Sequence, residues 1–151
     1  MTKKINLYIS QSNLIWLVCL FCLDRLTKYF AINYLSSDGF FFLPNFGFKL
    51  YLNPNLALSL PANNWLAIIL SIVAVIFLIF LGFDYIKKQP TTTFPLLLML
   101  IGAYSNLLDR FRFGWIIDWL DFSWFPAFNL ADVYIFIGAL LFLKIIFKKN
   151  T

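Results

Sequence analysis

The sequence contains no histidine and no glutamate, and it has only two cysteines among 151 residues. Without histidine it has no Ser-His or Cys-His nucleophile pair, no HExxH zinc site and no histidine proton relay. Any acid–base chemistry therefore depends on Asp, Lys, Tyr or Cys. The cysteines form Cys19-Leu-Phe-Cys22 within an apolar stretch, where packing is expected rather than redox chemistry or zinc binding.

Charged residues are also scarce. They make up 13% of the chain, whereas 62% is hydrophobic and 21% aromatic. A soluble domain carries about 25% charged residues, so this composition indicates a membrane protein, and the length predicts one domain over residues 1–151. The net charge of +5 comes mostly from lysines at the ends of apolar segments. This distribution argues against nucleic acid as a partner.

Four apolar segments are long enough to cross a bilayer, since a membrane helix needs about 20 residues. The sequence predicts an all-α membrane protein with four transmembrane helices, at about 14–34, 62–83, 94–111 and 127–147. Residues 36–61 interrupt the helical pattern with turn signals and with alternation from Phe46 to Leu52, which predicts a small β-hairpin or cradle. The segment 112–126, rich in Trp and Asp, is expected to be a loop.

Lysines predict the topology. Four spans place three lysine groups on one side of the membrane, and the positive-inside rule makes that side cytoplasmic. Both termini are then expected in the cytoplasm, with residues 36–61 and 112–126 on the outer face. The three groups are Lys3/Lys4, Lys87/Lys88 and Lys144/Lys148/Lys149.

The stretch from Gly102 to Asp132 concentrates acidic residues between apolar segments. A charge at the centre of a membrane helix costs about 2.5–3.5 kcal/mol, so such a stretch is a candidate functional site. Polar side chains of the first, third and fourth predicted helices are expected to converge near the outer surface. On the first, Asp24 and Lys28 are spaced i, i+4 and are expected to pair. The stretch holds four of the seven acidic residues: Asp109, Asp118, Asp121 and Asp132.

Aspartates without histidine favour a pair that shares one proton. The ionised carboxylate activates a water, and the protonated one polarises the scissile carbonyl and supplies a proton to the leaving amine. Asp118, Asp121 and Asp132 each satisfy this requirement, whereas Asp109 beside Arg110 is interpreted as a structural ion pair. Two alternatives use the same carboxylates: a calcium or magnesium site, and a small cation or proton transporter. The transporter would need charge continuing toward the inner side, where the predicted helices have almost none.

Several short motifs, in this order and spacing, resemble the lipoprotein signal peptidase family, also called signal peptidase II, over nearly the whole chain. The resemblance implies an aspartic endopeptidase of the bacterial inner membrane, active near the outer, periplasmic leaflet. Its substrates would be prolipoproteins, cleaved just before a diacylglyceryl-modified cysteine. The motifs are Asp24-x-x-Thr27-Lys28, Asn106-x-x-Asp109-Arg110, Gly114-Trp-Ile-Ile-Asp118 and Phe128-Asn129-x-Ala131-Asp132.

The resemblance also implies roles for residues. Asp118 and Asp132 would be the catalytic pair, Asp24 and Lys28 a supporting pair, and the cradle at 36–61 the platform that holds substrate. It implies no metal or organic cofactor, and the expected assembly is a monomer whose other partners are membrane lipids. A catalytically silent relative that binds lipidated partners is the alternative. The residues expected to shape the site are Asn53, Asn106, Asp109, Arg110 and Asn129.

The sequence departs from the family on the third helix. It has Ile101-Gly102-Ala103-Tyr104-Ser105-Asn106 where the family usually has G-G-A-x-G-N. Glycines permit close helix approach, so the loss of two of them is expected to separate neighbouring helices.

Overall fold

The computed structural model describes residues 11–55 and 63–149. All four predicted helices are present, with bounds that differ by a few residues, and a short 3₁₀ turn at Pro90–Thr92 precedes the third. Lys3 and Lys4, residues 56–61 of the predicted cradle and the predicted start of the second helix lie outside the described residues. The helices are α1 (Gln11–Tyr34), α2 (Asn64–Lys88), α3 (Thr93–Phe113) and α4 (Leu130–Lys149).

Within the residues that the structure describes, three helical segments are long and apolar enough to cross a membrane. The longer spans carry many exposed large apolar side chains, such as Phe77 and Phe80 on α2 and Phe136 on α4. Such surfaces suit lipid rather than water. α1 is of similar length but carries Asp24, Arg25 and Lys28 in its second half. The three segments are Asn64–Lys88, Pro90–Phe113 and Leu130–Lys148.

The described residues contain one antiparallel sheet of four strands, in the order β1-β2-β3-β4. The cradle prediction is confirmed for β1 (Phe40–Leu43) and β2 (Phe46–Asn53). The loop expected at 112–126 is wrong, because this segment contains all of β3 (Ile116–Phe122) and the first half of β4 (Phe125–Phe128). β3 begins with buried Ile116, Ile117 and Asp118 and shows no two-residue alternation. The sequence of β3 therefore lacks the periodic signal by which strands are predicted. The fold is accordingly less purely helical than the all-α prediction.

A glycine turns the chain from α3 into β3. Gly114 caps α3 in the left-handed conformation, with φ of 85°, and its backbone N–H donates to the Arg110 carbonyl. Glycine adopts this conformation without the steric cost of a side chain. β3 then runs antiparallel to β2, with Asp118 opposite Tyr51 and Ile116 opposite Asn53. The strand pairing therefore places β2, which precedes α2, beside β3, which precedes α4.

Two glycines allow close packing between α3 and α4. Gly102 on α3 lies against the Ala131 carbonyl of α4, and a methyl group on Gly138 of α4 would come 2.8 Å from the Pro95 carbonyl oxygen. Small residues at such crossings allow backbones to approach. The start of α4 is thus held close to α3, next to the strand pair β2–β3.

Candidate active site

Asp118 lies on β3 with its carboxylate almost fully buried. Asn53 at the end of β2 donates its side-chain N–H to Oδ2 at 2.8 Å, and Asn129 donates to Oδ1 at 2.6 Å. The β2–β3 register brings Asn53 to this carboxylate from the neighbouring strand. Both Asp118 oxygens therefore accept an amide hydrogen bond.

Asp132 is held at the start of α4 by a reciprocal cap. Asn129, just before the helix, accepts the Asp132 backbone N–H on Oδ1 at 3.1 Å. The Asn129 backbone N–H in turn donates to Asp132 Oδ2 at 3.1 Å. This exchange is the capping-box arrangement, with Asn and Asp in the positions usually held by Ser or Thr and by Glu. Helix 4 was predicted from residue 127; the cap moves its start to Leu130.

Asn129 joins the two carboxylates. Its side-chain amide contacts Asp118 and its backbone N–H contacts Asp132. The structure thus brings together Asp118 and Asp132, two of the three aspartates that the sequence left open. Asp121, the third, pairs with Gly47 further along β3 and makes none of these hydrogen bonds.

A buried lysine lies behind this pair. Lys28 is fully buried on α1 and donates to Asn106 Oδ1 at 2.8 Å. Asn106 on α3 then donates its own amide N–H to Asp132 Oδ1 at 2.8 Å. Lys28 also forms ion pairs with Asp24 at 3.2 Å, as the i, i+4 spacing predicted, and with Asp109 at 2.8 Å.

Asp24 ties α1 to both α3 and α4. Its Oδ1 accepts the Ala131 backbone N–H at 2.9 Å, and its Oδ2 accepts the Ser105 hydroxyl at 2.5 Å. Ser105 stands at one of the positions where the family has glycine. It is buried and hydrogen-bonded to α1, so at this position the expected separation of helices is replaced by a polar contact.

The predicted ion pair between Asp109 and its neighbour Arg110 is wrong, because Asp109 pairs with Arg25 as well as with Lys28. Arg25 Nη1 lies 2.6 Å from Asp109 Oδ1 and also donates to the Ser105 hydroxyl at 3.1 Å. Consecutive residues on a helix point in different directions, and Arg110 instead donates to the Asn55 carbonyl at 2.6 Å. Sequence reasoning missed Arg25, which does not share the i, i+4 face of Asp24 and Lys28, and it treated Ser105 only as a missing glycine.

Burial and the neighbouring Asp132 charge raise the pKa of Asp118 from 3.8 to about 7, against the opposing effect of its two amide hydrogen bonds. Desolvation disfavours the charged form of a carboxyl, and a like charge adds to that effect. A carboxyl in this state can carry a proton near neutral pH.

The carboxylates and cations in and around the Asp118–Asp132 pair nearly balance in charge. Four carboxylates and three cations leave one negative charge when every group is ionised. One added proton makes the cluster neutral, which a poorly solvated site favours because the cost of burying charge is high. The groups are Asp24, Asp109, Asp118 and Asp132 against Arg25, Lys28 and Arg110.

A metal centre finds no support in this geometry. Within residues 11–55 and 63–149, no three His, Cys, Asp or Glu side chains converge as a ligand set. The carboxylates are held instead by amides, backbone N–H groups and the buried cations.

The chain is similar to known proteins of one family over most of its length. The profile of the family described as "Signal peptidase (SPase) II" matches residues 16–148. The lipoprotein signal peptidase of Shewanella amazonensis is 35% identical, with 93% of this chain and 92% of that protein covered. The enzyme of the same name from Moorella thermoacetica is 34% identical, with 79% and 81% covered.

Two solved structures share the fold. Both are described as bacterial membrane enzymes solved by the in meso method. One has a TM-score of 0.81 at 23% identity, covering 95% of this chain and 92% of the other. The second has a TM-score of 0.79 at 24% identity, covering 95% and 97%. With the family match across nearly all of its length, this membrane protein belongs to the signal peptidase II family and is a peptidase.

Proposed function

We propose that this chain is an aspartic endopeptidase that removes signal peptides from prolipoproteins carrying a diacylglyceryl-modified cysteine, with Asp118 and Asp132 as the catalytic pair. The observation that carries the proposal is the bridge made by Asn129, which contacts the buried Asp118 carboxylate and the half-buried Asp132 carboxylate. The lipoprotein signal peptidases to which the chain is similar supply the substrate class.

The pair performs the chemistry by holding one proton. The ionised carboxylate takes a proton from water as the water oxygen bonds to the scissile carbonyl carbon. The protonated carboxyl donates to the carbonyl oxygen. When the C–N bond breaks, the pair delivers a proton to the leaving amine and takes one back from the tetrahedral intermediate, so it again holds a single proton. The single negative charge left by the ionised cluster favours this state.

The remaining polar residues support the pair. The two carboxylates are oriented by Asn53, Asn106 and Asn129. Helix α1 is joined to α3 through Asp24, Lys28 and Asp109. Arg110 holds the segment after β2 through the Asn55 carbonyl. No metal or organic cofactor takes part, and the protein works as a monomer.

The site faces the outer leaflet of the bacterial inner membrane, with four spans and both termini in the cytoplasm. Chain direction supports this topology, because α2 and α4 both begin beside the sheet and end at lysines. Lys87 and Lys88 close α2, and Lys144 and Lys148 lie in the last turns of α4. The positive-inside rule then assigns the sheet and the carboxylates to the outer side.

The test is cleavage of a diacylglyceryl precursor peptide by the purified protein in lipid nanodiscs, read by mass spectrometry. We expect wild-type protein to cut before the modified cysteine and to leave an unmodified precursor intact. Asp118→Asn and Asp132→Asn should each lower the rate by at least about 100-fold, the lower range for loss of an acid–base group. Asp121→Asn is the matched control, because Asp121 lies on the same strand outside the network.

Three outcomes contradict the proposal. Full activity of either Asp118→Asn or Asp132→Asn rejects the pair. Precursor binding without product by wild-type protein indicates a silent relative. Ion flux in liposomes that Asp132→Asn abolishes indicates a transporter.

A further inference from the structure

Asn106 and Asn53 are each oriented by a group with a fixed hydrogen-bonding role. The Lys28 ammonium can only donate, so Asn106 must present its oxygen to Lys28 and its NH₂ to Asp132. Asn53 accepts the Asn55 backbone N–H at 3.0 Å, which directs its NH₂ to Asp118. The orientation of these amides therefore follows from the network itself.

The two carboxylates receive different support. Asp132 accepts one N–H from an amide that is bonded to a buried cation and another from the backbone at the start of α4. A helix N-terminus favours negative charge within its first turn. Asp118 lies on a strand and accepts two amide N–H groups, neither of which belongs to an amide bonded to Lys28. The asymmetry favours negative charge on Asp132.

Asp132 has charged groups on each element that packs near it. Asp118 faces it from β3, and α1 and α3 contribute charges of both signs. Among these, Lys28 is the cation connected to the Asp132 carboxylate by a continuous chain of two hydrogen bonds. The charged groups of α1 are Asp24, Arg25 and Lys28, and those of α3 are Asp109, Arg110 and the exposed Arg112.

We propose that Lys28 and Asn106 are positioning residues that keep Asp132 ionised, so that Asp118 carries the single proton of the pair. This assignment rests on the function proposed above. Asp132 is then the base that takes the proton from water as the O–C bond forms, and Asp118 gives its proton to the carbonyl oxygen. Both protons are returned when the C–N bond breaks, Asp132 donating to the amine and Asp118 recovering its own from the intermediate.

The pH dependence of kcat/KM tests the assignment. Its acidic limb reports protonation of the base, and its alkaline limb reports loss of the proton from the acid. Asn106→Leu removes a donor from Asp132 and should move the acidic limb upward by about one pH unit, with the alkaline limb unchanged. Asn53→Leu is the matched control, because it removes a donor from Asp118 and should move the alkaline limb upward by a similar amount. The assignment would be overturned if Asn106→Leu moved the alkaline limb and Asn53→Leu moved the acidic limb. It would also be overturned if either variant moved both limbs equally.

Infrared spectroscopy of the protein without substrate tests the proton location independently of activity. At pH 5 the C=O stretch of a protonated carboxyl should persist in Asp132→Asn and be absent from Asp118→Asn. The reverse pattern would overturn the assignment even in an active enzyme. If no precursor is cleaved but the expected pattern is seen, the proposed function fails and the proton assignment stands. Asn106→Ala and Asn53→Ala replace the leucine variants if those do not fold.

Discussion

Gly102 on α3 lies directly against the main-chain carbonyl of Ala131 on α4, with no space for a side chain between them. Ala131 precedes Asp132, and its own backbone N–H donates to Asp24. The approach of the two helices at Gly102 therefore sets the position of the carboxylate that follows.

Gly102→Ala should destabilise the protein and reduce cleavage. The added methyl group would overlap the Ala131 carbonyl and force the helices apart, and overpacking of this kind costs about 1–3 kcal/mol. Thermal unfolding in detergent measures the loss. Gly82→Ala is the matched control, because the nearest atom to a methyl group there is Ile86 Cδ1 at 3.8 Å. Equal unfolding temperatures for the two variants would contradict the close contact.

Stability should fall as the pH rises from about 4 to about 7. Asp118 titrates near 3.8 in the unfolded chain and near 7 in the folded protein. In that window the folded state binds more protons than the unfolded state, so the free energy of unfolding decreases with pH. Unfolding temperatures measured across the range should show this slope in wild-type protein and in Asp121→Asn, and a much smaller slope in Asp118→Asn. A slope of unchanged size in Asp118→Asn would assign the titration to another group.

Lys28→Met should be strongly destabilising. It leaves Asp24 and Asp109 buried without their shared cation, and breaking a buried pair costs about 3–5 kcal/mol. The exposed pair of Lys88 with Asp84 has the same i, i+4 spacing, at 2.8 Å, and provides the control. Lys88→Met should leave the unfolding temperature unchanged, since exposed ion pairs contribute little. Similar losses in both variants would show that burial does not determine the contribution.

Arg25→Gln should weaken the packing of α1 on α3. It removes the bonds from Arg25 to Asp109 and Ser105, and a hydrogen bond to a charged group contributes about 1.5–3 kcal/mol. Arg112→Gln is the control, because Arg112 is exposed and lies over the Phe113 ring. Chemical denaturation should give a lower free energy of unfolding for Arg25→Gln than for Arg112→Gln. An Arg25→Gln protein as stable as wild type would show that Lys28 alone holds Asp109.

Long apolar runs made the helices predictable, and i, i+4 spacing made the Asp24–Lys28 pair predictable. Strand β3 was not, because Ile116, Ile117 and Asp118 are buried in succession and remove the alternation by which strands are recognised. The pairing of β3 with β2 decides that Asn53 reaches Asp118. Such a contact joins residues far apart in the chain, and local spacing does not encode it.

The partners of Asp109 show the same limit. Adjacent charges in the sequence suggested a pair with Arg110, whereas the packing of α1 on α3 supplies Arg25 and Lys28. Ser105 was recognised only as a missing glycine, yet its hydroxyl contacts both Asp24 and Arg25. Side-chain reach across a helix interface decides these contacts, and a single sequence contains no direct signal of it.

The capping of α4 has a consequence for biogenesis. Asn129 and Asp132 lie at the start of α4, which is synthesised after α1, α2 and α3. The hydrogen-bond chain from Lys28 through Asn106 to Asp132 is therefore complete only after α4 has been made and has packed against α3. With the catalytic pair proposed above, a nascent chain that stops before α4 lacks one of its two carboxylates, and cleavage begins only after α4 has docked.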